Sequence, residues 1–192
     1  MSDATLEGMP RIARASEEIR IRGSLAIAVV VATVLWWVTQ WLIDQPLQTR
    51  RALLVSGLVL VLGLVAGLVN VSRRVSEGMA DVRPPGVSMV FETRAASRDR
   101  RMRYSAAVFL TVVVVLIFDA LADWGGVTAG FVIGAGLASG IADLVEASRW
   151  ERQERRRGSE LWVLVRPRAL VASYGRAIVV EIPEDPPDEI TR

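Results

Sequence analysis

The chain has 192 residues, 52% of them hydrophobic but only 6% aromatic, with a formal net charge of +2 at pH 7. It holds 15 glycines, no cysteine and no histidine, and every one of its 23 basic residues is arginine. Disulfides, thiolate metal sites, cysteine nucleophiles and imidazole chemistry are thereby excluded, and an enzyme would have to work through carboxylates, Ser or Tyr.

The apolar residues are gathered into four blocks rather than spread at the spacing of a soluble core, as expected of a chain solvated by lipid. Residues 1–23 come first, as a polar segment. Within it, Ile12, Ala15 and Ile19 are spaced for an amphipathic helix lying at a membrane surface, with charges on the other positions. A polar stretch of this length before a long apolar block argues for a permanent anchor rather than a cleaved signal peptide.

The first block runs from Ser24 to Ile43 and the second from Ala52 to Val71, so residues 24–71 form the first expected transmembrane hairpin. Residues 72–103 are a basic loop in which Pro84-Pro85-Gly86 precedes a β-rich run, Val87 to Glu92. The second hairpin, residues 104–147, pairs Tyr104–Ala122 with Gly126–Ala147. A hydrocarbon core roughly 30 Å thick needs about 20 helical residues, which each block supplies. Only helices satisfy their own backbone groups in lipid, so the Val-rich blocks are helices as well.

Residues 148–182 predict a continuation of the last helix to Arg157, ended by Gly158, and then a short β meander from Leu161–Val165, Ala169–Ser173 and Ala177–Ile182. Such a sheet is too small for a core of its own and would need the membrane surface, a second copy or another protein to cover it. Residues 183–192 are acidic and Pro-rich, and read as a mobile tail. The fold class is therefore an all-α integral membrane protein with four transmembrane helices, arranged as two parallel-repeat hairpins, and a small cytoplasmic β element.

All but Arg50 and Arg51 of the 23 arginines lie in the N-terminal segment, the middle loop or the C-terminal part. The positive-inside rule places these in the cytoplasm, with both termini there, in the cell (inner) membrane. Trp36, Trp37, Trp41 and Trp124 then fall at the outer interface, where indoles are favoured.

The hairpins resemble one another internally. Gly63-Leu64-Val65-Ala66-Gly67-Leu68-Val69-Asn70 matches Gly136-Leu137-Ala138-Ser139-Gly140-Ile141-Ala142-Asp143 at corresponding depth. Gly63, Gly67 and Asn70 share a helix face, as do Gly136, Gly140 and Asp143. Small residues four apart allow close backbone approach, which supports helix association in lipid. The fourth span carries a second strip, Gly126, Gly130, Gly134 and Ala138, open either to the bundle or to another subunit.

Asp119 and Asp123 are expected in headgroup water at the outer mouth of the third span, the alternative being a cation-attracting or proton-accepting site there. Asp143 is expected in a structural hydrogen bond with Asn70, Arg73 or Arg149, the alternative being a proton or cation ligand if it faces a cavity. Thr33, Thr111, Thr128 and Ser139 can bond back to their own helices. Arg11, Arg14, Arg20, Arg22, Arg101 and Arg103 are placed to attract anionic lipid headgroups. The basic clusters adjoin spans, so nucleic acid is not expected. No phosphate loop or HExxH occurs, and no metal or cofactor is expected. The expectation is a non-catalytic accessory, assembly or scaffold subunit of a membrane complex, binding itself or other membrane subunits; the alternative is a small oligomeric channel or transporter.

Overall fold

A computed structural model of the protein describes residues 11–42, 49–80, 82–83, 90–91, 94–121, 126–165 and 179–183. In chain order the elements are β1 (Arg11–Arg14), α1 (Ala15–Leu42), α2 (Thr49–Ala80), β2 (Val82–Arg83), β3 (Val90–Phe91), α3 (Arg94–Leu121), α4 (Val127–Arg157), β4 (Ser159–Val165) and β5 (Val179–Pro183). They fall into two compact units. One, from Arg20–Val71 and Ser105–Val145, holds the apolar stretches of the helices; the other, from Met1–Ile19, Ser72–Tyr104 and Glu146–Arg192, holds the strands and the polar helix ends.

The four helices contain 28, 32, 28 and 31 residues, and each includes a stretch long and apolar enough to cross a membrane. These stretches are Ala15–Thr39, Arg50–Ala80, Arg101–Leu121 and Val127–Arg157. Their outward surface is greasy: Leu62 on α2 is 61% exposed and Phe118 on α3 is 63% exposed, among many similar neighbours. Each exposed apolar side chain left in water would forgo about 1.5–3 kcal/mol. Four such helices are consistent with a multi-pass membrane protein.

Within the apolar unit α4 is the central helix. Gly130 and Gly134 approach Ala52, Ser56 and Val59 of α2, while Gly136 and Gly140 approach Ala26, Ile27, Val30 and Gly23 of α1. Rising numbers on α2 meet rising numbers on α4, so these two helices run in the same direction. Numbers on α1 fall as those on α4 rise, so that pair is antiparallel.

The polar unit is a five-stranded sheet in the order β2-β5-β4-β1-β3. β1 lies antiparallel to β4, pairing Arg11 with Val165 and Arg14 with Trp162, and β4 lies antiparallel to β5, pairing Ser159 with Pro183. The two-residue strands β2 and β3 flank these in parallel. Ala13, Leu161, Val163 and Val179 share one face by this register and are all buried.

Helix ends cover that sheet. A Cβ on Gly78 of α2 would meet Trp150 of α4 at 2.7 Å and Val179 of β5 at 3.3 Å. The buried Val75, Ala147 and Trp150 thus complete a core with the strands. On this face the cover that the sequence left to the membrane surface, a second copy or another protein comes from the polar extensions of α2 and α4. Gly158 ends α4 as expected. Its φ of +62°, a region L side chains rarely adopt, lets its N–H bond to the Glu154 carbonyl at 3.0 Å and turns the chain into β4.

The N-terminal reading is also corrected. Arg11–Arg14 is a strand, not part of an amphipathic surface helix, and α1 starts only at Ala15. Ile12 is buried and is paired with Leu164 of β4 and Phe91 of β3. Its β4 partners lie some 150 positions away in the chain, where local periodicity carries no information. Of the expected meander, Ala169–Ser173 lies outside the described residues, as do positions 184–192 of the tail.

Candidate functional site

Both glycine strips of α4 are occupied within the chain. A Cβ on Gly130 would sit 2.3 Å from the Ala52 carbonyl oxygen, and one on Gly134 would sit 2.5 Å from that of Ser56. On the other strip, Gly136 would meet Val30 at 2.6 Å and Gly140 would meet Ile27 at 2.7 Å. Gly63 and Gly67 of α2 in turn approach Ala138 and Ala142. The strip that the sequence left open to another subunit therefore meets α2. Gly126 lies ahead of α4 with φ +84°, and its carbonyl accepts the Gly130 N–H at 3.0 Å.

The polar ends of these strips behave differently from one another. Asn70 is exposed, and Asp143 bonds to a different residue. Asp143 is instead gripped by Arg22 of α1, whose Nε and Nη2 donate to its two oxygens at 2.7 and 2.5 Å. This is a two-pronged guanidinium–carboxylate pair, the strong form of an ionic hydrogen bond. It sits where Gly23 and Gly140 let α1 and α4 approach, because a Cβ on Gly23 would be 3.1 Å from the Gly140 carbonyl oxygen and 3.2 Å from the Asp143 Cβ. The other two expected partners are engaged elsewhere: Arg73 with Glu77 at 2.6 Å, and Arg149 with the Ser72 hydroxyl at 2.6 Å.

Asp119 is buried at 2% exposure near the end of α3, and its Oδ1 accepts the backbone N–H of Thr128 at 3.4 Å. Thr128 lies in the first turn of α4, where N–H groups lack helical partners and a negative charge is favoured. The geometry gives Asp119 the part of a cap across the α3–α4 turn. Asp123 lies outside the described residues. Thr33, Thr111 and Ser139 donate to carbonyls of their own helices.

The arginines expected to meet lipid are largely held by carboxylates of the chain. Arg14 pairs with Glu154 at 3.3 Å and Glu160 at 3.2 Å, and Arg101 pairs with Glu17 at 3.2 Å and Glu18 at 3.8 Å. Arg103 pairs with Asp99, and Arg22 with Asp143. Arg20 is exposed, and the Arg11 side chain lies outside the described residues. Burial works against the charge on Arg14, yet the hydrogen bond and charge of Glu154, helped by Glu160 and Glu17, raise its pKa.

Glu154 is the residue that sequence reasoning missed. At 6% exposure it accepts hydrogen bonds from Arg14 Nη2 at 3.3 Å, the Ser16 hydroxyl at 3.3 Å and the Leu161 N–H at 3.3 Å. One carboxylate on α4 thereby ties together β1, the start of α1 and β4. A signal existed: Ala147, Trp150 and Glu154 recur at helical spacing on the face opposite Arg152, Arg155 and Arg156. A second buried carboxylate, Glu146, pairs with Arg74 at 3.4 Å. Among the described residues no group of three or more acidic, His or Cys side chains is placed to hold a metal ion.

Compared with known proteins, the chain matches no family model, no curated protein and no solved structure.

Proposed function

We propose that the protein is a non-catalytic multi-pass membrane subunit that displays a small cytoplasmic sheet for contact with other protein in a membrane complex. The observation that carries this reading is the origin of the sheet. Its strands come from before α1, from between α2 and α3, and from after α4, so one compact element gathers every chain segment expected on the arginine-rich side. A platform assembled from so many segments, held by the Glu154 contacts and backed by Trp150, is suited to presenting a surface. The ionic groups support the same reading, since Asp143, Glu146 and Glu154 each hold an arginine of the chain rather than pointing together at one centre.

The proposed orientation places the sheet in the cytoplasm and residues 43–48 outside, following the arginine distribution. Extraction in a mild detergent followed by native mass measurement tests the reading. A stoichiometric assembly, with a second copy or a second protein of defined mass, is expected. A lone monomer at native expression level would overturn it.

A further inference from the structure

On α4, Arg152, Arg155 and Arg156 are exposed and have no ionic or hydrogen-bonding partner among the described residues. At 100° per residue they fall within about 100° of one another, opposite the buried Ala147, Trp150 and Glu154. Three like charges on one helical face repel each other, and the nearby acids are engaged: Glu154 and Glu160 with Arg14, Glu181 with Arg157 and Ser159, and Glu151, one turn before Arg155, in an interaction that involves none of the three arginines.

The sheet delivers an acidic segment to this place. β5 runs antiparallel to β4 and ends with Pro183 opposite Ser159, two residues beyond Arg157. The next positions in the sequence are Glu184, Asp185, Pro186, Pro187, Asp188 and Glu189, four carboxylates in six residues. The preceding acid on β5, Glu181, already reaches α4, accepting from Arg157 Nη1 at 3.1 Å. Six extended residues span up to about 20 Å, whereas Arg152 lies about 10 Å of helix before Ser159. Reach, charge and point of departure therefore agree.

We propose that the acidic C-terminal segment, Glu184 to Glu189, docks on the Arg152–Arg155–Arg156 face of α4 and neutralises it. An anionic competitor for this face, whether headgroup or protein, must then displace the chain's own tail. Surface ion pairs of this kind weaken as salt shortens the range of attraction, so the contact is salt-sensitive.

The chain has no cysteine, so two can be introduced as unique labelling sites. Full-length protein carrying Gln153→Cys and Ile190→Cys is spin-labelled in nanodiscs of zwitterionic lipid, and the distance between labels is measured by pulsed dipolar spectroscopy. A short-distance population is expected at low salt. It should be lost at high salt, lost in the variant with Glu184→Gln, Asp185→Asn, Asp188→Asn and Glu189→Gln, and lost with Arg152→Gln, Arg155→Gln and Arg156→Gln. The absence of that population at low salt, or its survival in the neutralised-tail variant, overturns the proposal. So does protection of the three arginines by anionic lipid while the tail stays distant in zwitterionic discs.

Discussion

Arg22 holds Asp143 through Nε and Nη2, joining α1 to α4 where Gly23 and Gly140 let the helices approach. The two side chains are only 20% and 12% exposed, so removing one charge leaves the other poorly solvated. Asp143→Asn is expected to lower stability by about 3 kcal/mol, seen as a lower midpoint for thermal unfolding in detergent. Pairing Arg22→Met with Asp143→Leu should recover most of that loss. A single variant as stable as the parent would show that the pair contributes nothing.

Glycine substitutions separate the occupied strips from open surface. Gly130→Ala and Gly134→Ala each force a methyl against a backbone oxygen and should cost about 1–3 kcal/mol. Gly57→Ala lies on the same apolar stretch as their α2 contacts but meets nothing within 4 Å. It should be neutral or slightly stabilising, since Ala favours helix by about 1 kcal/mol over Gly. Equal effects at all three sites in thermal unfolding would contradict the assigned packing.

Glu154→Ala removes the acceptor shared by Arg14, Ser16 and the Leu161 N–H. Hydrogen–deuterium exchange should speed up by roughly 100-fold, corresponding to about 3 kcal/mol, at residues 11–14 and 159–163. The middles of the apolar helices should keep their protection. Unchanged exchange in both strands would remove Glu154 from its structural role.

Asp119 distinguishes capping from transport. Asp119→Asn keeps an acceptor for the Thr128 N–H and should cost less stability than Asp119→Ala, which loses a cap worth about 1 kcal/mol. Cation flux into liposomes should be the same for the parent and Asp119→Asn. Flux present in the parent and abolished in Asp119→Asn would favour a channel over a scaffold subunit.

The legibility of the sequence followed the range of the interaction. The four apolar helices and the stop at Gly158 depend on composition and on neighbours a few residues apart, and both could be read directly. The glycine strips were legible as strips, but their partners were not: Gly130 finds the Ala52 backbone 78 positions away, and periodicity names a face without naming what it meets. β1 was missed for the same reason, since Ile12 is a strand residue only because Leu164 lies opposite. Glu154 looked like one more charge in the run Trp150–Arg157, although its place in line with Ala147 and Trp150 marked it as inward. Sequence reasoning assigned Arg14, Arg22, Arg101 and Arg103 to anionic headgroups, but it could not see that carboxylates of the chain engage them.

The measurement closest to the heart of the account is sidedness. Single cysteines at Gln45, Arg98 and Arg155 in this cysteine-free chain can be probed in intact cells with a membrane-impermeant maleimide. Gln45→Cys should label from outside, while Arg98→Cys and Arg155→Cys should label only after the membrane is permeabilised. Labelling of the latter two from opposite faces of the bilayer would be incompatible with a sheet that joins the middle loop to the C-terminal strands, and would contradict the four-span architecture itself.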